Sequence, residues 1–250
     1  MLSARRSRYA ERSPANRSGG RVDMCFSAEA SFLSSGILTI GGIATLKQVR
    51  SPLQRPFAFF PLIFALHQFI EGCLWLTRSY EPTPGVVEFL SHAFPFIAYV
   101  VWPALVPYAI DRFEEVPGRK KVLLICRTVG AGLSIFYLYY IVKGPVTAVF
   151  VNQSIHYEFY FSFWILSQWL YGLSIIGATF LSSHKIVTWF GVGLVISYNI
   201  AKQFYLASYP SVFCHLSAWI SLIIFLEVRY GEHFRYKTRI PHTRAVRALR

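Results

Sequence analysis

The sequence predicts an all-α fold: a bundle of seven transmembrane helices with the N-terminus outside and the C-terminus inside. Three observations carry this expectation. Hydrophobic residues make up 54% of the 250 residues and charged residues only 15%, too little charge to cover a soluble domain of this size. Seven stretches are continuously apolar over roughly the 20 residues that a helix needs to cross the hydrocarbon core, whereas the strands of a membrane barrel would alternate. Finally, Lys and Arg collect at the ends and in alternate connections, a pattern that orients membrane helices.

The first run, Ala30–Leu46, is short, and Ser31, Ser35 and Gly42 give it a small-residue face suited to close helix packing. The second, Phe57–Leu76, follows the turn RSPLQRP. The third, Val86–Ile110, starts after EPTPG and contains Pro95, Pro103 and Pro107, each of which removes a rung of the helical ladder and favours a cavity beside it. EEVPGRKK introduces the fourth, Val122–Val142, with Arg127 one turn inside its end and placed to snorkel. The connection 143–159 is the longest and carries aromatics, so it is expected to fold over one mouth of the bundle. Tyr160–Leu181 is the fifth run. After SSHK comes the sixth, Ile186–Tyr205, with Asn199 facing a cavity or a neighbouring helix and Lys202 reaching outward. The seventh is Pro210–Val228, while Trp75, Trp164, Tyr205 and Tyr209 read as interfacial anchors.

Loop charges set the direction. Lys47, Arg50 and Arg55 fill the first connection and Arg112, Arg119, Lys120 and Lys121 the third, while the second has Arg78 and the fourth Lys143. Odd connections and the basic tail, residues 230–250, are therefore expected in the cytoplasm of a bacterial inner membrane, the tail against anionic lipid. Residues 24–229 form the membrane domain in this reading. Arg5, Arg6, Arg8, Arg12, Arg17 and Arg21 would stand on the wrong side. Residues 1–23 are accordingly expected to be an upstream extension before a start at Met24, or a disordered arm. No apolar segment of signal-peptide type precedes Met24. The net charge of +13 does not indicate nucleic acid, because the chain has no aromatic-basic platform, Cys/His finger spacing or phosphate-cradling glycine loop.

MCFSAEASF at Met24, HQFIEGCLW, WPALVP, SSHK and SVFCHLSAW occur in an order that resembles an uncharacterised family of bacterial multi-pass membrane proteins, a domain-of-unknown-function family opening with MCFSA. The resemblance spans Met24 to Val228. It implies an inner-membrane protein and carries no activity with it. The chain departs from the expected pattern at His67, where glutamine is more usual, and at His215, where an aromatic residue is.

Ionisable side chains inside a span are costly and are functional candidates by default. His67 and Glu71 lie at i, i+4 in the second run and share one face with Trp75, with Gln68 and Gly72 beside them. His92, His215, Ser27 and Glu29 fall at a similar outward depth. One expectation is a protein that binds or transports a small molecule in an outward polar cavity lined by His67, Glu71, His92 and His215. A second is a metal-dependent membrane hydrolase in which the same four residues hold zinc, leaving a position for an activated water. A third is structural, with Glu71 hydrogen-bonded to His67, Gln168 or a backbone carbonyl and no ligand. Of Cys25, Cys73, Cys126 and Cys214, the pair Cys25 and Cys214 is best placed for an outward disulfide, with free buried thiols as the default. The oligomeric state is left open.

Overall fold

The computed structural model describes residues 27–80, 83–151 and 154–234. The arm 1–23, Met24, Cys25 and the tail from residue 235 lie outside the described residues, and so do the expectations made for them. Among the described residues seven helical units follow one another: α1 (Ala28–Lys47), α2 (Pro52–Leu76), α3 (Gly85–Phe113), α4 (Pro117–Lys143), α5 (Trp164–Leu181), α6 (Lys185–Phe204) and α7 (Tyr209–Tyr230). The fold is all-α, as its apolar runs predict. Among the described residues six of the units are long and apolar enough to cross a membrane. The remaining one, α6, matches α1 in length at 20 residues, but Asn199, Lys202 and Gln203 dilute its apolar run.

Local chemistry explains how each unit starts and where it bends. Ser27 caps α1 by accepting the Ala30 N–H at 3.2 Å. The small face of α1 is where α2 lies: Ser35 Oγ donates to the Ala65 carbonyl at 2.8 Å, and Gly42 sits against Leu62. Pro95 has no N–H to give, and the chain beyond it, Phe96–Val101, widens into a π-helical turn. Hydroxyls from neighbouring helices take two carbonyls of that turn, Tyr171 Oη donating to Ala98 O at 2.6 Å and Ser134 Oγ to Val100 O at 2.7 Å. A second π turn, Leu173–Gly177, interrupts α5. Where α4 crosses α3, Gly130 lies so close to the Pro103 carbonyl that a Cβ would overlap it.

The connection 143–159 does fold over one end, but it does so as an antiparallel hairpin of β1 (Thr147–Val151) and β2 (Ser154–Glu158). No strand is expected there from the apolar runs. The β-branched and aromatic residues of TAVFV and SIHYE favour one, and an isolated hairpin is marginal, so packing must hold it. Tyr157 stacks on Phe94 with ring centroids 4.2 Å apart, Phe150 meets Trp75 at 5.0 Å, and Ser154 Oγ lies 2.5 Å from Ser208 Oγ. Trp75 is therefore buried beneath the hairpin rather than anchored at an exposed interface. The hairpin defines one end of the bundle. The α3–α4 and α5–α6 connections and the end of α7 define the other, called the tail end below. The core between α2, α3 and α6 is aromatic: Phe64 stacks on Trp102 at 4.2 Å, and Phe57 packs edge-on to Phe60 at 4.9 Å.

Candidate functional site: an aromatic cavity beside a buried polar chain

A cavity of about 350 Å³ lies toward the hairpin end among α3, α5, α6 and α7. Both π turns abut it, α3 contributing Ala98 and Tyr99 and α5 contributing Ile175 and Ile176. Such turns are frequent at functional sites because they re-aim side chains and leave backbone groups to be satisfied from outside the helix. Tyr171 and Gln168 of α5, Tyr198 and Lys202 of α6, and Tyr209, Phe213 and Cys214 of α7 complete the wall. Trp164 and Trp169 form a rim, with 55% and 77% of their surface exposed.

Lys202 provides the charge. Its Nζ stands 4.4 Å from the ring centroid of Tyr209, 5.8 Å from Tyr198 and 5.9 Å from Trp164. Among the described residues no carboxylate forms an ion pair with it. Instead of running outward along the helix to water, it turns toward aromatic faces, whose quadrupoles attract a cation.

The residues singled out from sequence lie elsewhere, and none of His67, Glu71, His92 and His215 lines this cavity. His67 and Glu71 share a face of α2 and are both buried, but they have different partners. His67 Nε2 lies 3.1 Å from the Phe94 carbonyl; a carbonyl only accepts, so Nε2 carries the proton. The His67 ring also packs on Phe94 at 3.9 Å. Glu71 Oε1 accepts from the Ser211 hydroxyl, and Oε2 accepts from Gln68 Nε2 at 3.4 Å. Gln68 Oε1 in turn meets His215 Nδ1 at 2.6 Å, and His215 Nε2 accepts the Trp219 indole N–H at 3.3 Å. An indole only donates, so His215 is neutral with its proton on Nδ1. Every donor in this chain points toward Glu71, and the chain ties α2 to α7. His92 stands apart, half-buried, with Nδ1 donating to the Glu88 carbonyl of its own helix at 2.8 Å. Among the described residues no three His, Cys, Asp or Glu side chains are grouped to hold a metal ion. His67, Glu71, His92 and His215 therefore do not form a common donor set for zinc. Gln168 does not reach Glu71; it belongs to the cavity. Asn199 Nδ2 donates to Val195 O at 2.8 Å within its own helix. Cys73, Cys126 and Cys214 are free thiols.

The polar joint at the tail end was not foreseen from sequence. Glu114 Oε1 accepts the N–H groups of Glu115 and Val116 at 2.9 Å each, and Oε2 accepts that of Ser183 at 2.6 Å. Burial alone would raise this carboxyl, but the backbone donors of Val116, Ser183 and Glu115 outweigh it and hold Glu114 below the ordinary carboxylate value. Arg119 donates to the carbonyls of Leu181 and Ser182. His184 Nδ1 lies 2.5 Å from Glu227 Oε1, both side chains being almost fully buried. Gly231 is needed beneath them, because a Cβ there would overlap the Glu227 carboxylate. The available signal was His184 in SSHK, with Glu227 four residues before Gly231. Arg127 is not left to snorkel alone; it pairs with Asp111 at 3.1 Å.

Comparison with curated proteins and with solved structures finds no match. The model of a family of unknown function, DUF6629, matches residues 24–239.

Proposed function

The chain belongs to this family of unknown function, and from that premise we propose that it is a membrane-embedded binding protein that takes a small molecule into the aromatic cavity at its hairpin end. One observation carries the reading: about 350 Å³ of space framed by two π turns, with one lysine and one glutamine set in an otherwise aromatic and apolar wall. That size lies at the lower end of the roughly 300–1,000 Å³ typical of small-molecule sites. The Glu71 chain is assigned a supporting role. Ser211 and His215 hold α7 against α2, and Tyr209, Phe213 and Cys214 on the same helix form the cavity wall. The metal-hydrolase alternative finds no ligand group among the described residues.

The hairpin end is assigned to the outer side of a bacterial cytoplasmic membrane, and the basic tail to the cytoplasm beside anionic lipid. The motive is charge: Lys47, Arg50, Arg55, Arg112, Arg119, Lys120, Lys121 and Lys185 mark one end, against Arg78, Lys143 and Lys202 at the other. A reporter active only in the cytoplasm is expected to work when fused after Arg239 and to fail within 143–159. Equal activity at both places overturns the orientation.

The binding reading is tested by plugging the cavity. Gly172 lines the cavity and a Cβ on it would meet open space, so Gly172→Leu adds bulk at the cavity without disturbing the packed core. Protein purified in zwitterionic nanodiscs is extracted and the co-purified small molecules are profiled by mass spectrometry. A species bound to wild type is expected to fall at least tenfold in the variant. An unchanged profile in a correctly folded Gly172→Leu protein sinks the proposal.

A further inference from the structure

We propose that the ligand of this cavity is a single-chain amphiphile with an anionic headgroup, its acid held by Lys202 and its chain lying along the aromatic wall. This inference deepens the binding reading above and rests on it.

The charge balance of the wall selects the headgroup. Among the described residues no acidic side chain lines the cavity and none pairs with Lys202. The faces of Tyr209, Tyr198 and Trp164 attract the ammonium but carry no net charge, so the site remains positive. A cationic headgroup would meet that repulsion and find the best aromatic faces already occupied. A neutral headgroup would gain at most a hydrogen bond from Lys202 and would leave its charge unmatched. An acid gains the ammonium, with the Gln168 amide as a further donor group in the wall.

The shape selects the rest. Tyr171, Ile175, Ile176 and Phe213 offer an apolar surface below the lysine, and about 350 Å³ suits one chain better than two. Lys202 is near the end of α6, and Tyr209 opens α7. The headgroup therefore sits near a helix end, where a bilayer is polar, while the chain points inward between helices. Trp164, Ile165 and Trp169 form the outer wall and are all exposed, so the side of the cavity toward lipid is one side chain thick. An amphiphile already dissolved in the bilayer has a short sideways path into it.

The test uses full-length protein in phosphatidylcholine nanodiscs and three diazirine-bearing C12 probes: dodecanoic acid, dodecanol and dodecyltrimethylammonium. Photolabelling is mapped to peptides and titrated against the unlabelled counterpart. Dodecanoate is expected to label residues 164–176 or 209–214 saturably, half-saturating at least tenfold lower than dodecanol, with the cation weakest. Lys202→Met is expected to bring the acid to the level of the alcohol and change the alcohol far less, while Lys202→Arg keeps the preference. Equal half-saturation of acid and alcohol, or a preference that survives Lys202→Met, overturns the headgroup assignment while saturable labelling still upholds the binding reading. Competition by added phosphatidylglycerol as strong as that by dodecanoate overturns the single-chain assignment. Saturable labelling of these peptides by none of the three probes removes the binding reading, and this inference with it.

Discussion

At the tail end, Glu114 takes three backbone N–H groups and His184 closes on Glu227. At the hairpin end, Lys202 meets ring faces beside an open cavity and, among the described residues, no carboxylate. The same bundle thus treats its charges in opposite ways at its two ends. Where a charge is matched by donors of fixed geometry, it ties connections from different parts of the chain into one joint, and space disappears. Where it is matched by polarisable rings alone, the attraction is shallow in direction and the side chain keeps freedom to turn toward something better. The comparison puts the closed polar joint at the tail end and the open space at the hairpin end.

The strongest way to break this contrast is His184→Ala. Glu227 would remain buried without its partner, and removing one member of a buried pair costs about 3–5 kcal/mol. Thermal unfolding followed by circular dichroism in detergent should show a loss of that size. A loss below about 1 kcal/mol would mean that the tail end is not a fixed joint.

Glu114 sharpens the contrast through pH. Its folded value lies below the ordinary 4.5, so the ionised form favours the fold. The stabilisation is fully present above the ordinary value and is lost as pH falls through the lower folded one. Glu114→Gln should cost about 2 kcal/mol at neutral pH through weakened charge-assisted bonds, and should flatten the acid limb of the stability profile. An acid limb identical to that of wild type would assign it to other groups.

Glu71→Gln should have the smallest effect. The amide keeps the shape and one acceptor, and places its NH₂ against one of the two donors, Ser211 or Gln68. A loss of about 1 kcal/mol is expected, with dodecanoate photolabelling unchanged. A folded Glu71→Gln protein that no longer labels would move the site from the cavity to the Glu71 chain and restore the reading first suggested by the spacing of His67 and Glu71.

Much of the architecture is legible in the sequence because it depends on sums over neighbouring residues. Apolar run length marked all seven helices to within a few residues at most ends, and the small residues Ser31, Ser35 and Gly42 marked the contact face of α1. The hairpin was legible only as a long aromatic connection, since its strands are held by Phe94, Trp75 and Ser208 from distant parts of the chain. The i, i+4 spacing of His67 and Glu71 correctly put them on one face, yet shared direction is not shared partnership. Rotation of α2 against α3 and α7 gave His67 to the Phe94 carbonyl and Glu71 to Ser211.

By itself, then, the sequence determined that the chain is a helical membrane bundle, where its helices run, and which end of each carries the basic residues. These are properties of local composition, set by the cost of leaving polar groups in hydrocarbon. Only the tertiary structure decided that Glu227 meets His184, that Trp75 lies beneath the hairpin, and that the cavity belongs to Lys202 rather than to the four ionisable residues of the spans. The physical reason is that a side chain's partner depends on helix rotation and crossing, and on bends such as the π turn after Pro95. These arise when many contacts are satisfied together, and no spacing within one helix encodes them.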